Sequence, residues 1–383
     1  MADEPAPRLG LVAGEASGDL LASLLIQGLR QRWPALRTQG IGGPRMQAQG
    51  FEAWWPSSKL SIFGYVDALL NIRELLSIRR QLGNRLLAER PRAFVGVDAP
   101  DFNFGLETRL REAGIKTIHF VCPSIWAWRG ERVHKIAKAA DHVLCLFPFE
   151  PEILHKAGVA ATYVGHPLAD TIPLQPPRAE ARAALGLAEG DTVVALLPGS
   201  RRSELAYIAE PMLHAAQLMR QARPELKFIV PVAPGLRELL QPMVERLGQG
   251  LNLTLLEGRS HEALAACDLT LVASGTATLE AALFKRPMVV AYRMHALNAW
   301  RMRGKNYLPW VSLPNVLARE FLVPELLQEA CTPKALAREG LAWLADAERY
   351  ARVQARFHEQ HLLLRRDTAR LASDAIAQVL ADA

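Results

Sequence analysis

Short apolar runs alternate with helix-length amphipathic stretches along almost the whole chain. In the first half the runs cover residues 9–13, 38–41, 93–97, 117–121, 142–146 and 162–164. Strands that read as continuous apolar runs, rather than alternating ones, are covered on both faces, as in parallel βαβ units flanked by helices. The pattern therefore predicts an α/β, doubly wound parallel sheet. Each run ends in a loop rich in Gly, Pro, Ser or Asp, and in open sheets of this kind the carboxyl-end loops build the site.

Over 167–177 the pattern lapses into a proline-rich stretch, with Pro167, Pro173, Pro176 and Pro177, which reads as a linker. A second βαβ series follows, with strands predicted at 193–197, 227–231, 252–255, 269–272 and 288–291. After about Thr332 the pattern is helical, and the last helix is expected to cross back to the first domain. The expected organisation is an N-terminal Rossmann-like domain over 1–166, the linker over 167–177, a second such domain over 178–345 and closing helices over 346–383. The active cleft is expected between the two domains.

Length agrees, because single cores rarely grow past about 250–300 residues and the chain has 383. Half of the residues are apolar and 22% are charged, a composition that excludes a disordered chain. No run approaches the roughly 20 apolar residues of a spanning helix, and residues 1–8 are acidic and proline-bearing, unlike a signal sequence. A cytoplasmic body is expected. Cys122, Cys145, Cys267 and Cys331 lie far apart without a CxxC pair and read as core thiols. The formal net charge of +6 favours an anionic partner: nucleic acid, acidic lipid or a phosphorylated substrate.

The chemistry sits in the loops. Gly14, Glu15, Ala16, Ser17, Gly18 and Asp19 follow the first strand and open a helix, where free N–H groups could receive phosphate or sugar. A bare strand-to-helix turn fits them equally. The loop is not GxGxxG, and no acidic residue ends the second strand to hold a ribose, which disfavours a dinucleotide. Gly42 and Gly43 repeat the design after the second strand. Asp98 ends a buried strand, where a general base would meet a substrate, although an Asp there can equally cap the following helix. Gly199, Ser200, Arg201 and Arg202 open the second domain's first helix. Two arginines there oppose the helix dipole, which favours a bound anion over a simple capping box. Ser274, Gly275 and Thr276 precede another helix, with Glu280 one turn inside. That pattern suits a diphosphate at the N-terminus and a carboxylate on ribose hydroxyls.

Residues 14–19, 42–46, 97–103, 122–129 with Trp126 and Trp128, 165–167, 197–204, 274–280 and 313–315 together resemble the lipid A disaccharide synthase family, in order from residue 10 to about 320. The resemblance implies the GT-B architecture. It further implies an inverting transfer of 2,3-diacylglucosamine from its UDP derivative to 2,3-diacylglucosamine 1-phosphate, giving a β-1,6 disaccharide phosphate and UDP. It places Asp98 as the base and Gly199–Arg202, Ser274–Thr276, Glu280 and Asn315 on the UDP-sugar. Glu15, Ser17, Gly18, Asp19, Gly42, Gly43, Asn103, Trp126 and Arg129 fall to the acceptor. The family offers homodimers and is not known for a metal requirement. No cofactor is expected here, since His119, His134 and His142 are wrongly spaced to share a metal with Cys122. Cys122 itself departs from the family's usual small residues and reads as tolerated packing.

The same pair of domains also serves UDP-sugar epimerases, and a non-catalytic nucleotide-sugar binding protein would use it too. Arg293, Trp300, Arg301, Arg303, Lys305, Tyr307 and Trp310 would suit nucleic acid, but equally phosphosugars, acyl chains or a bilayer; no nucleic-acid partner is expected. Between residues 61 and 87, Val66, Leu69, Leu70, Ile72, Leu75 and Leu76 belong to an apolar set too large for one helix face, interleaved with Arg73, Arg79 and Arg80. From 71 to 92 there are six arginines against two glutamates. The segment is expected either to meet an anionic inner-membrane surface or to lie buried between the sheet and a neighbour.

Overall fold

The computed structural model describes residues 6–14, 16–60, 65–295 and 307–381. The chain divides into two compact units: residues 1–170 together with 364–383, and residues 171–363. Glu15 lies outside the described residues, as do Trp300, Arg301, Arg303 and Lys305 and the side chains of Val66, Leu69 and Leu70.

The first unit holds seven strands: β1 (Arg8–Ala13), β2 (Arg37–Gly42), β3 (Glu52–Pro56), β4 (Ala93–Val97), β5 (Lys116–Phe120), β6 (His142–Cys145) and β7 (Ala161–Tyr163). They lie in the order β3-β2-β1-β4-β5-β6-β7. Every pairing is parallel. β4 is buried along its whole length and β1 at all but its first residue. The helices Tyr65–Glu89 and Pro100–Glu112 contribute Ile78, Leu82, Leu86, Leu106 and Leu110 to the core beneath Val12, Ile41 and Phe94. The closing helix Thr368–Ala381 packs on the helix Ala16–Arg32 so tightly that a Cβ at Gly28 would stand 2.5 Å from that of Ala369. Asp170 fixes the closing helix, its carboxylate accepting from Asp367 N at 3.1 Å and Thr368 N at 2.7 Å.

The second unit holds β8 (Val193–Leu197), β9 (Lys227–Val232), β10 (Leu253–Glu257), β11 (Leu269–Ala273), β12 (Met288–Tyr292) and β13 (Glu325–Leu327), ordered β10-β9-β8-β11-β12-β13. All are parallel here too. Phe94, Phe120 and Phe228 are fully buried, each contributing roughly 1.5–3 kcal/mol.

Two strands escape the sequence pattern. β3, with two half-buried tryptophans and a proline, and β13, with three residues, are edge strands covered on too little of their surface to need an apolar run. The expected strand at 117–121 ends one residue early, because Val121 turns to φ 84°. Five residues of the proline-rich stretch form the helix Pro167–Thr171, and the division between units falls at its penultimate residue.

Candidate functional site

Each sheet has a point where the strand order reverses, between β1 and β4 in one unit and between β8 and β11 in the other. In open α/β sheets the crevice at the carboxyl ends of those strands is where ligands bind. The loops singled out by sequence fall there: Gly14 and residues 16–19 after β1, Asp98 after β4, residues 199–202 after β8 and 274–276 after β11.

In the first unit the turn after β4 is strained. Asp98 and Ala99 both adopt left-handed conformations, φ 51° and 44°. For residues with a Cβ this costs roughly 1–2 kcal/mol each and persists only where neighbours over-determine it. Here Asp98 N donates to Phe120 O at 2.9 Å, Phe102 N and Asn103 N both donate to Ala99 O at 3.0 Å, and Asn103 Nδ2 donates to Asp98 O at 2.8 Å. Val121, at the end of β5, is a third outlier and is β-branched. Gly14 backs onto this turn, where a Cβ would meet that of Ala99 at 3.4 Å. Asp98 is half-buried.

Several expected ligand contacts are spent within the protein instead. The Asp19 carboxylate is buried and accepts from the backbone N–H of Gly43 at 2.9 Å, Arg45 at 3.0 Å and Met46 at 3.1 Å, so it caps the turn 42–46 rather than meeting an acceptor. This also uses the N–H of Gly43, and Gly42 is buried beside it. Asn103 is wholly buried, clamping Asp98. The Trp126 indole N–H donates to Glu150 at 3.1 Å, and its ring stands edge-on to Phe149 at 5.4 Å. Burial pushes the Glu150 carboxyl up to about 8, even though Phe147 N and Trp126 donate to it, and burial drives His166 down to about 4. Gly18 lies beside the end of β4, 3.9 Å from Val97 O for an added Cβ. Ser17 is exposed, and exposed Arg129 lies over the Trp128 ring at 4.1 Å.

In the second unit Gly199, at φ 124°, leaves room for Glu204, whose carboxylate would stand 2.4 Å from a Cβ there. That carboxylate accepts from Ser200 N at 2.8 Å and Arg201 N at 3.2 Å and pairs with the Arg201 guanidinium at 3.2 Å. The capping carboxylate thus satisfies part of the positive charge, while Arg201 and Arg202 remain exposed. The helix Thr276–Leu283 opens directly from β11 with Gly275 and Thr276 exposed, and its first N–H groups have no intrahelical acceptor. Thr278 Oγ1 donates to Gly275 O at 2.8 Å and accepts from Leu313 N at 3.3 Å, and Ser274 Oγ reaches Val311 O at 3.4 Å. Glu280 stands beside His261, 3.2 Å from Nε2, with a fifth of its side chain exposed. Asn315 is engaged within the protein. It is fully buried, donating to Val323 O and Glu325 Oε1 and accepting from Val323 N. Glu325, which no sequence signal marks, also accepts from Val311 N and Ser312 N, and so ties down the start of the helix Leu313–Ala318, which touches the helix Thr276–Leu283. Among the described residues no three His, Cys, Asp or Glu side chains are grouped to share a metal ion.

Among solved structures, the chain is similar to UDP-GlcNAc 2-epimerase from Neisseria meningitidis bound to UDP-GlcNAc, with a TM-score of 0.67 at 11% identity, covering 98% of this chain and 100% of that one. It is similar to Anabaena HepE in complex with UDP-glucose, TM-score 0.57 at 15% identity, covering 98% and 99%. At these identities the likeness is one of fold, the GT-B pair of Rossmann-like domains. The sequence is 57% identical over 380 residues to the lipid-A-disaccharide synthase of Verminephrobacter eiseniae, covering 98% of this chain and 97% of that protein. It is 56% identical to that of Burkholderia thailandensis, covering 99% and 98%. With residues 9–380 also matching the lipid-A-disaccharide synthetase family, this chain belongs to that family.

Proposed function

We propose that the chain transfers 2,3-diacylglucosamine from its UDP derivative to the 6-hydroxyl of 2,3-diacylglucosamine 1-phosphate, giving the β-1,6-linked disaccharide 1-phosphate and UDP. The observation that carries this reading to a mechanism is Asp98, a half-buried acidic residue held on a strained turn at the switch point of the first sheet. As the 6-oxygen attacks the anomeric carbon, Asp98 takes its proton, the bond from that carbon to the UDP oxygen breaks on the opposite face, and the centre inverts. Charge growing on the diphosphate is met by Arg201, Arg202 and the N–H groups opening at Thr276, without reorganisation. Glu280 accepts from the ribose hydroxyls. Ser17, Gly18 and Arg129 contact the acceptor, whereas Asp19, Asn103 and Asn315 act by shaping loops. The epimerase likeness rests on fold, while the relatives that match at high identity over their full length are synthases. Incubating the purified protein with both lipid sugars and weighing the product by mass spectrometry tests this reading: a disaccharide monophosphate is expected, and an isomerised UDP-sugar with no disaccharide would overturn it.

For UDP, Glu280→Ala and Arg201→Ala are each expected to weaken binding by roughly tenfold, the loss of one charge-assisted hydrogen bond. Isothermal titration of both folded variants checks this, and unchanged affinity in both would put the donor elsewhere.

The helix Tyr65–Glu89 supports a membrane contact. Its far half buries Ile78, Leu82 and Leu86, but Ile72 and Leu76, one turn apart, are each 48% exposed, with Arg73 and Arg80 exposed nearby. Among the described residues no helix is long and apolar enough to cross a membrane. Ile72 and Leu76 instead meet the bilayer surface, apolar insertion being helped by roughly 1 kcal/mol per basic residue near anionic lipid. Replacing Ile72 and Leu76 with Ser is expected to lower sedimentation with anionic vesicles severalfold at unchanged thermal stability. Undiminished sedimentation would move the contact to another surface.

A further inference from the structure

Beneath the strained turn that carries Asp98 lies a buried polar cluster for which the proposed reaction has no direct use. Glu107 and His119 are both 0% exposed and share a hydrogen between Oε1 and Nδ1 at 2.7 Å. His119 sits on β5 directly opposite Gly96 of β4, and Glu107 sits on the helix Pro100–Glu112, one turn beyond Asn103. The carboxyl lies over Gly96 so closely that a Cβ there would be 2.0 Å from Glu107 Oε1 and 3.0 Å from Asn103 Cγ. Gly96 therefore has to be glycine for this helix to seat. Asn103 in turn holds the Asp98 carbonyl. Three atoms of the cluster, Asn103 Oδ1, Glu107 Oε2 and His119 Nε2, are buried without a hydrogen-bond partner among the described residues.

A core under selection for stability alone would favour apolar groups here, since each unsatisfied buried polar atom costs about 1–3 kcal/mol. A hydrogen bond in such a low-dielectric site is, however, electrostatically stronger than one in water and holds its two groups sharply in one geometry. The turn above needs that sharpness, because Asp98 and Ala99 leave their left-handed conformation unless something over-determines it. We infer that Glu107 and His119 are positioning residues for Asp98. Their hydrogen bond pins the helix Pro100–Glu112 against β4 and β5, and Asn103, on the same face of that helix, transmits the placement to the Asp98 carbonyl. The pair touches no substrate; it sets where the base stands.

The inference rests on Asp98 being the base, and a double-mutant cycle separates the two claims. Glu107→Gln keeps the shape and removes the charge. It is expected to lower kcat roughly tenfold, the effect of a displacement well under 1 Å at the reacting groups, with donor KM and UDP affinity within about twofold. In an Asp98→Asn background the same substitution is expected to have no further effect on residual turnover, because it acts through that carboxylate. Asn103→Ser, which cuts the link to Asp98 O without touching the pair, is expected to behave the same way and carries the test if Glu107→Gln does not fold. Full kcat in both folded single variants overturns the inference, as does a Glu107→Gln loss that multiplies undiminished with that of Asp98→Asn. Near-normal turnover by Asp98→Asn alone instead overturns the assignment of the base.

Discussion

Asp98→Asn is expected to lower kcat by roughly 10²–10⁴ while leaving UDP affinity within about twofold of the parent, the range that general base work supplies. The substitution is isosteric and leaves the backbone of the turn in place. Asn is at least as tolerant as Asp of a left-handed backbone, so φ 51° at this position is kept without new strain. The bonds that define the turn, Asp98 N to Phe120 O and Asn103 Nδ2 to Asp98 O, are made by the main chain of residue 98 and survive the change. What disappears is a group able to take the proton of the attacking hydroxyl. Steady-state rates with both lipid sugars in detergent, beside calorimetric UDP titration and thermal melting, read the three quantities separately. A variant that turns over within about tenfold of the parent would mean that the proton leaves by another route.

The parts of this molecule that were legible in the sequence are those whose physics is local. β1, β4, β8 and β11 are buried on both faces, so their residues had to form apolar runs, and the order reversal beside them follows from the doubly wound pattern. Loops after those strands announced themselves by small residues at the start of helices. Which side chain in a loop faces a ligand was not legible, because it depends on partners distant in sequence. Asp19 is claimed by backbone 24 to 27 residues away, and Asn315 by Val323 and by Glu325 on an edge strand too short to leave a pattern. The Glu107–His119 pair spans a helix and a strand and has no local signature at all. In the helix Tyr65–Glu89 the excess of apolar residues was visible, but not that Ile78, Leu82 and Leu86 would be buried beside the helix Pro100–Glu112 while Ile72 and Leu76 stay exposed.

The largest stability effect is expected at Asp268, at the head of β11. Its carboxylate pairs with Arg178 at 2.5 Å and Arg182 at 2.9 Å and accepts from Val193 N at 2.8 Å, joining β11 to β8 and to the helix Arg178–Ala184. Arg182 is 2% exposed, and its other donors go to the carbonyls of Ala266, Ala188, Glu189 and Asp191. Those carbonyls satisfy its hydrogen bonds, but among the described residues it is Asp268 whose carboxylate supplies the opposite formal charge at contact distance. Asp268→Asn keeps the shape and strands a buried guanidinium without its counter-charge, which typically costs about 3–5 kcal/mol. The pair of Arg338 with Glu339, whose arginine is 73% exposed, stands in contrast, where the loss should stay under about 1 kcal/mol. Because Asp268 and its partners all lie within residues 171–363, the loss should be confined to that unit. Hydrogen exchange read by mass spectrometry should show β8 and β11 losing protection while β1 and β4 keep theirs, together with a drop in melting temperature on the order of ten degrees. A melting shift as small as that of Glu339→Gln would show that the four carbonyls alone hold Arg182, and that the ion pair adds nothing to them.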